Sequence, residues 1–599
     1  MTLSEQIRRQ DMSPKEQDRT ILLDRVAMAV LGTAAGVSFW LLVEVLPDTD
    51  VHPRLYLAVF ALAAVFFGVA LALCGPVSIL RAVAAALAVG VPSAALLSLA
   101  GLRFADAADI ARSPPTLMMF IIMVSVATPF LAVWLQDRTS WRRYPDLFDA
   151  AWTITVRYLA AWLFVGVAWL VLMLSNALLG LVGVDVIENL LDVEPVPYAF
   201  SGLVLGIALA VVHELRSYLS PYLLLRLLRL LLPVVLLVVL IFIAALPLRG
   251  LSSLFGDFSA AGTLMGVTIG AITLITIALD RDNGLAVHTP LMRSATQVLA
   301  LALPVLGALA LYAIVLRVTQ YGWTPDRVFA AVCATFLLAY GVCYAVVALA
   351  RRHWMDRIRR VNVTLALVLI AIAALWMTPL LHAEKISTGS QIARYQSGQA
   401  MAAQLPLWEM DKEWGKAGQR GLARLEELDS DGALAPMIAA AREADSKYAL
   451  ENLQNVALGQ ARVADLIKVM PVRPEGETLR ASDLAAVHVT VVERWYQACS
   501  ASLSDQAPSC VLVIGELDET GERQGMFFAQ VEGQNAFVEL ISLGQGDQSW
   551  ARNMYDLANT QRAFIPDGTV ARILSGDFRI GPSRQKALFV GDMELVPDN

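Results

Sequence analysis

The residues of this chain that could do chemistry lie in two short polar stretches beside long apolar runs. The first, "RVTQYGWTPDRV" at Arg317–Val328, carries Arg317, Tyr321, Thr324 and Arg327. The second, "HAEKISTGSQIARYQSG" at 382–398, carries Ser387, Ser390, Gln391 and Arg394. Guanidinium groups converging with hydroxyl and amide donors would suit a phosphate or carboxylate, such as an anionic lipid head group or a polymer precursor of the envelope. A structural reading accounts for the same residues. Gly322 can end one helix, Thr324 is a good N-cap, Pro325 suits the first helical position, and Asp326 sits at the positive end of the next helix. The donors of the second stretch would then tie the departing chain onto the turn, and Glu384 could pair with Arg317 or Arg327.

The elements that must position these stretches follow from hydropathy. The chain has 599 residues, 57% hydrophobic and only 17% charged, against about 25% charged in a soluble domain. Between about Ile21 and Leu381 apolar runs near twenty residues long recur, the length that crosses roughly 30 Å of hydrocarbon. Eleven spans are expected, beginning near Val26, Leu55, Val77, Thr116, Tyr158, Ala199, Leu223, Ala260, Ala295, Phe329 and Val361. With residues 1–23 as a cytoplasmic tail lacking a cleavable signal pattern, only Arg54, Arg103, Arg112, Arg249, Arg317 and Arg327 fall in outer loops. The inner side receives twenty Lys and Arg, a clear positive-inside bias. An odd span count carries the C-terminus to the far face.

The fold class expected is therefore a mainly α membrane protein of about eleven transmembrane helices, followed by an extracytoplasmic α+β domain. Its divisions are 24–383 for the membrane body, 384–470 for a helical neck and 471–599 for a β-rich domain with a small antiparallel sheet. In the last, "VHVTVVE", "NAFVELIS", "TVARILSG" and "KALFVGDMEL" read as strands, "CVLVIGELDETGERQGMFFAQV" as a hairpin and "WARNMYDLANT" as a helix. Residues 384–599 hold about thirty Asp and Glu against twenty Lys and Arg, which argues against nucleic acid or anionic lipid as the partner of that region. Cys74, Cys333 and Cys343 lie in or beside spans. Cys499 and Cys510, around a polar loop, are read as a disulfide in an oxidising compartment. A metal reading is weak, because only His488 is near them.

Small residues at fourfold spacing, Gly32 and Gly36, Gly202 and Gly206, and Gly262, Gly266 and Gly270, predict close helix packing. The ionisable residues near the spans, among them Glu44, Arg157, Glu214 and Asp280, cluster at span ends from which each can snorkel. Polar groups at mid-depth are expected to be only Thr, Ser and the Gly stripe, so the usual signature of an ion-coupled pump is missing. Neither HExxH, GxSxG nor a Walker loop occurs, and no cofactor or catalytic residue is assigned. "DSDG" at 429–432 lacks the later ligands of a calcium loop, and the acidic hairpin tip at 518–522 reads as a solvated turn.

The motif carried by Tyr321, Gly322, Thr324 and Arg327, followed by that of Ser387, Ser390, Gln391, Arg394, Ser397 and Gly398, resembles the bacterial integral-membrane family catalogued as domain of unknown function 4153. The resemblance is most specific over about Leu301 to Gly398. It implies a protein of the bacterial cytoplasmic membrane and implies no activity. The expected role is a non-enzymatic envelope binding or scaffold protein, in contact with the lipid bilayer and displaying an external domain to a partner of unknown identity. The alternative is a transporter or channel for a small solute or a lipid-linked envelope precursor.

Overall fold

The computed structural model describes residues 14–597 apart from 76, 215–220, 250–259, 351–352, 430–431, 433, 485–486, 488, 502–507, 518–522, 531–536, 544–551, 557–560, 563–565, 567, 582–586 and 591–592. The acidic hairpin tip and His488 lie outside the described residues. Two compact units divide the chain, Met1–Arg442 and Glu443–Asn599.

Among the described residues of the first unit eleven helices are long and apolar enough to cross a membrane. They are Leu22–Val45, Pro53–Leu73, Ile79–Gly101, Pro114–Gln136, Tyr144–Gly180, Pro195–Val212, Leu224–Leu246, Ala260–Leu279, Pro290–Tyr321, Pro325–Leu349 and Trp354–Met377, called here the first to eleventh spans. The fifth begins at Tyr144, well before the expected start near Tyr158. Arg157 looked like the polar end of a loop; its side chain is instead buried inside the bundle, so the helix runs through it.

Glycines explain one close contact and fail to explain another. A Cβ on Gly32 would lie 2.1 Å from the Gly202 carbonyl oxygen, and one on Gly206 would lie 2.2 Å from that of Met28. The first and sixth spans therefore touch backbone to backbone, as small-residue stripes allow. In the eighth span a Cβ on Gly266 or Gly270 would meet nothing within 4 Å. The packing expected of that stripe is absent there, because these glycines face outward while Thr268, Ala271 and Ile275 form the buried face.

After the eleventh span the first unit continues as α1 (Ala383–Gln396), α2 (Leu407–Lys412), α3 (Gly415–Leu428) and α4 (Leu434–Glu443). The Asp429 side chain accepts from the Leu434 and Ala435 amides at 2.8 and 3.1 Å, so the start of "DSDG" caps α4.

Among its described residues the second unit holds α5 (Lys447–Val469), α6 (Val489–Ser500), α7 (Thr569–Leu574) and nine strands. The strands are β1 (Val472–Arg473), β2 (Cys510–Glu516), β3 (Arg523–Ala529), β4 (Phe537–Ser542), β5 (Arg552–Asp556), β6 (Gln561–Arg562), β7 (Arg579–Gly581), β8 (Ala587–Val590) and β9 (Met593–Pro597). They join in the order β1-β2-β3-β4-β5-β9-β8-β7, with β6 on β5. All pairs are antiparallel except β1 with β2. Both faces of the central strands are covered. Leu512, Ile514 and Phe527 pack with Trp495 of α6, whereas Val511, Val513 and Phe528 pack with Val570 and Ile573 of α7. Burial on both faces is why these strands read as unbroken apolar runs.

Three sequence expectations fail here. "VHVTVVE" leads into α6, where Val492, Trp495 and Cys499 share one buried face at helical spacing. "TVARILSG" forms α7, and "WARNMYDLANT" contains β5. "KALFVGDMEL" splits into β8 and β9. Short β-branched runs do not separate strand from buried helix, and tertiary burial decides them. Cys499 and Cys510 are joined in a disulfide between α6 and β2.

Replacing Gly32 by Val should lower the stability of the membrane body by about 1–3 kcal/mol, the usual cost of overpacking. The same change at Gly266 should stay within about 0.5 kcal/mol. Thermal unfolding of the two purified variants would measure the difference, and equal losses would contradict the packing described.

Candidate functional site

The ninth span ends where Gly322 takes φ +77° and ψ 176°, a conformation that L side chains avoid. The Thr324 hydroxyl accepts from the Arg327 amide at 3.3 Å and starts the tenth span. Onto this turn α1 is laid by its own donors. Gln391 Nε2 donates to the Tyr321 and Trp323 carbonyls at 3.1 and 3.0 Å. Arg394 donates to the Thr319 and Gln320 carbonyls at 3.2 and 2.7 Å, and the Trp323 amide donates to Ser390 Oγ at 3.2 Å. A Cβ on Gly322 would come within 2.6 Å of Arg394 Cδ, so this close approach also requires glycine.

The structure thus brings together the residues singled out from sequence, but it employs most of their donors internally. Arg327 Nη1 donates to the Gly322 carbonyl at 2.7 Å. The Arg317 and Arg327 guanidinium groups lie 5.8 and 5.5 Å from the Tyr321 ring centre, one aromatic ring serving both cations. Ser387 is fully buried and donates to the Ala383 carbonyl in its own helix. An orphan helix C-terminus needs donors, and Gln391 and Arg394 supply them.

Glu384 pairs with neither Arg317 nor Arg327. Its partners are Arg103, with Nη1 3.4 Å from Oε2, and His382, with Nδ1 3.0 Å away. Both Arg103 and Glu384 are buried, and Arg103 also donates to the carbonyls of Trp376, Thr378 and Leu381 at 2.5, 2.7 and 3.2 Å. That cap closes the eleventh span. Burial alone would push the Glu384 carboxyl upward, but the His382 hydrogen bond and the Arg103 charge prevail and hold it below its ordinary value. The backbone of the same loop receives α3, since the Lys416 amide donates to the Arg103 carbonyl at 2.9 Å and Lys416 Nζ to that of Leu102 at 3.0 Å. Sequence reasoning passed over Arg103, although its place among the few arginines in outer loops was a signal.

Arginine caps recur at the opposite ends of the spans. Arg157 does not snorkel: it is buried and donates to the Ala72 and Cys74 carbonyls at 3.3 and 3.0 Å, where the second span stops. Arg359 donates to the Leu279 and Asp280 carbonyls at 2.5 and 3.2 Å, where the eighth span stops. Arg229 reaches the Ile277 and Leu285 carbonyls at 2.9 Å each and pairs with the buried Asp280 carboxylate.

Beside the Arg157 cap lies a cavity of about 630 Å³, walled by the second, fourth, fifth, eighth, tenth and eleventh spans. Val69, Val126, Phe130, Leu147 and Ile154 make it largely apolar, with Tyr144, Thr276, Tyr340 and Asn362 as polar points. The Tyr340 and Tyr344 hydroxyls donate to Asn362 Oδ1 at 2.9 and 2.5 Å. Asn362 and its tyrosines are polar groups within the spans that the sequence reading did not single out. Asn362 is followed by Val363 and Thr364 in a span opened by arginines, which disguised it as part of a polar helix end. Among the described residues no group of three or more His, Cys, Asp or Glu could hold a metal ion.

A double-mutant cycle between Arg327 and Gln391, which act on neighbouring carbonyls of one turn, should give a coupling of about 0.5 kcal/mol or more; strictly additive melting shifts would contradict it. Because Glu384 has a depressed folded-state pKa, its contribution is present above the ordinary carboxylate range and is lost as pH falls through the lowered value. The melting temperature should accordingly fall on acidification, and the fall should shrink in Glu384→Gln. Arg103→Met, which leaves Glu384 buried without its cation, should cost about 3–5 kcal/mol.

Comparison with curated proteins and with solved structures returned no match. A family model described as a domain of unknown function, number 4153, matches residues 55–407. That stretch holds ten of the eleven spans, the capped turn, α1 and the cavity walls, and this chain belongs to the domain of unknown function 4153 family.

Proposed function

We propose that this multi-pass membrane protein is a non-enzymatic scaffold of the bacterial envelope, anchored in the cytoplasmic membrane with its N-terminus inside and residues 443–599 displayed outside. The observation that carries the reading is the use of Ser390, Gln391 and Arg394 to lock α1 onto the 321–323 turn. Donors that would recognise a ligand in an open crevice are here committed to the protein's own backbone. Together with the buried Arg103–Glu384 pair and the Lys416 contacts, they make the first helices beyond the membrane a rigid continuation of the spans. A rigid base suits display of a domain. The Cys499–Cys510 bond and the scarcity of arginine in the proposed outer loops support the same side for that domain. An envelope component is the partner class this reading implies. Anionic head groups remain candidates only at the exposed rim of Arg317 and Tyr321.

A second reading, a transporter for a small solute or a lipid-linked precursor, is favoured by the cavity among the spans. Solute flux in proteoliposomes separates it from the scaffold.

Alkaline phosphatase fused after Asn599 should be active, and a fluorescent protein that matures only in the cytosol should stay dark there. The reverse pattern would overturn the orientation. Peptide mapping of the membrane-inserted protein without reductant should recover Cys499 linked to Cys510; two free thiols would remove that support.

A further inference from the structure

The cavity among the spans carries an inference independent of the scaffold reading. Asn362 is 92% buried, at 8% relative exposure, and forms part of the cavity wall. Its amide oxygen can only accept, so the Tyr340 and Tyr344 hydroxyls at 2.9 and 2.5 Å must both donate to it. With the amide so oriented, Nδ2 faces the Tyr144 hydroxyl and has one N–H to spare beyond it. The Tyr144 hydroxyl, on the same wall, is buried against Asn362 and meets no other polar partner among the described residues. Away from water an unpaired polar group costs several kcal/mol, and polar groups retained within spans mark function. If one Nδ2 hydrogen serves the Tyr144 oxygen, the second Nδ2 hydrogen and the Tyr144 O–H are the donors left over. What they lack is an acceptor oxygen.

The rest of the wall defines the remainder of the ligand. Val69, Val126, Phe130, Leu147, Phe148 and Ile154 offer apolar surface, and among the described residues no Lys, Arg, His, Asp or Glu lines the cavity. A charged head group would find no counter-ion there and would be expensive to desolvate. A volume of about 630 Å³ falls in the range of small-molecule sites. We propose that this cavity is an intramembrane binding site for a neutral amphiphile, whose carbonyl oxygen accepts from Asn362 Nδ2 and the Tyr144 hydroxyl while its hydrocarbon chain covers the apolar wall. Acylglycerols and prenyl quinones share that chemistry.

The test uses the full-length protein in detergent micelles, titrated separately with decylubiquinone, dioleoylglycerol and the anionic dioleoylphosphatidylglycerol, with bound molecules counted by native mass spectrometry. At least one neutral ligand should bind saturably, one per chain, and more tightly than the anionic lipid. Decylubiquinone alone identifies a quinone site, dioleoylglycerol alone an acylglycerol site, and both together a site reading only the shared carbonyl. Tyr144→Phe should weaken binding about three- to tenfold, the loss of one buried neutral hydrogen bond. Asn362→Asp keeps the oxygen that receives the two tyrosines but turns the donor face into an acceptor, and should weaken it by more than tenfold. Should Asn362→Asp lose its cooperative melting transition, Tyr144→Phe decides alone. Binding by neither neutral ligand, anionic lipid bound as tightly as both, or unchanged affinity in a folded variant would overturn the proposal. The reporter fusions at Asn599 would be unaffected by any of these outcomes, so the scaffold reading stands or falls separately.

Discussion

A helix that ends inside or at the edge of a membrane leaves carbonyls that water cannot reach, and this protein meets that constraint with arginine. The guanidinium group has five donors in a fixed fork and carries the charge that the negative end of a helix favours. Arg103 closes the eleventh span, Arg157 the second, Arg359 and Arg229 the eighth, and Arg394 the ninth. In each case a side chain from one segment completes the backbone of another. Helix termination and tertiary packing are therefore one interaction, and removing a single guanidinium exposes several carbonyls at once.

The same economy shapes the outer turn. A cluster of Arg, Gln and Ser invites a reading as an anion site, and its composition would suit one. Geometry assigns most of those donors to carbonyls 319–323, so the cluster holds α1 against the spans. Glu384, buried beneath it, is kept ionised by His382 and Arg103 and secures the start of the same helix. The membrane body and the helices 383–428 consequently form one packed unit.

Polarity within the spans follows a different logic. The arginines are spent on backbone, whereas Asn362 is held by two tyrosines, faces a third and lines a cavity with more donors than its protein neighbours take up. Protein interiors rarely keep such groups unpaired.

Much of this was legible in the sequence. Runs of twenty apolar residues count the spans because bilayer thickness is fixed, and a Gly-x-Thr-Pro-Asp turn announces its caps because φ at Gly322 and the hydroxyl of Thr324 act locally. Motifs around Tyr321 and Gln391 carried the family for the same reason. Interactions between segments distant in sequence were not legible. Arg103 and Glu384 are 281 positions apart, and Arg157 is 85 from the Ala72 carbonyl, so nothing in local spacing could pair them. Val489–Ser500 became helix and Arg552–Asp556 strand because burial against β3 and pairing with β4 outweighed weak local preference. The sequence by itself determined how many times the chain crosses lipid and where its sharpest turn lies. Only the tertiary structure decided which guanidinium meets which carbonyl and which amide is left facing a cavity, since those depend on distances between spans that no local pattern encodes.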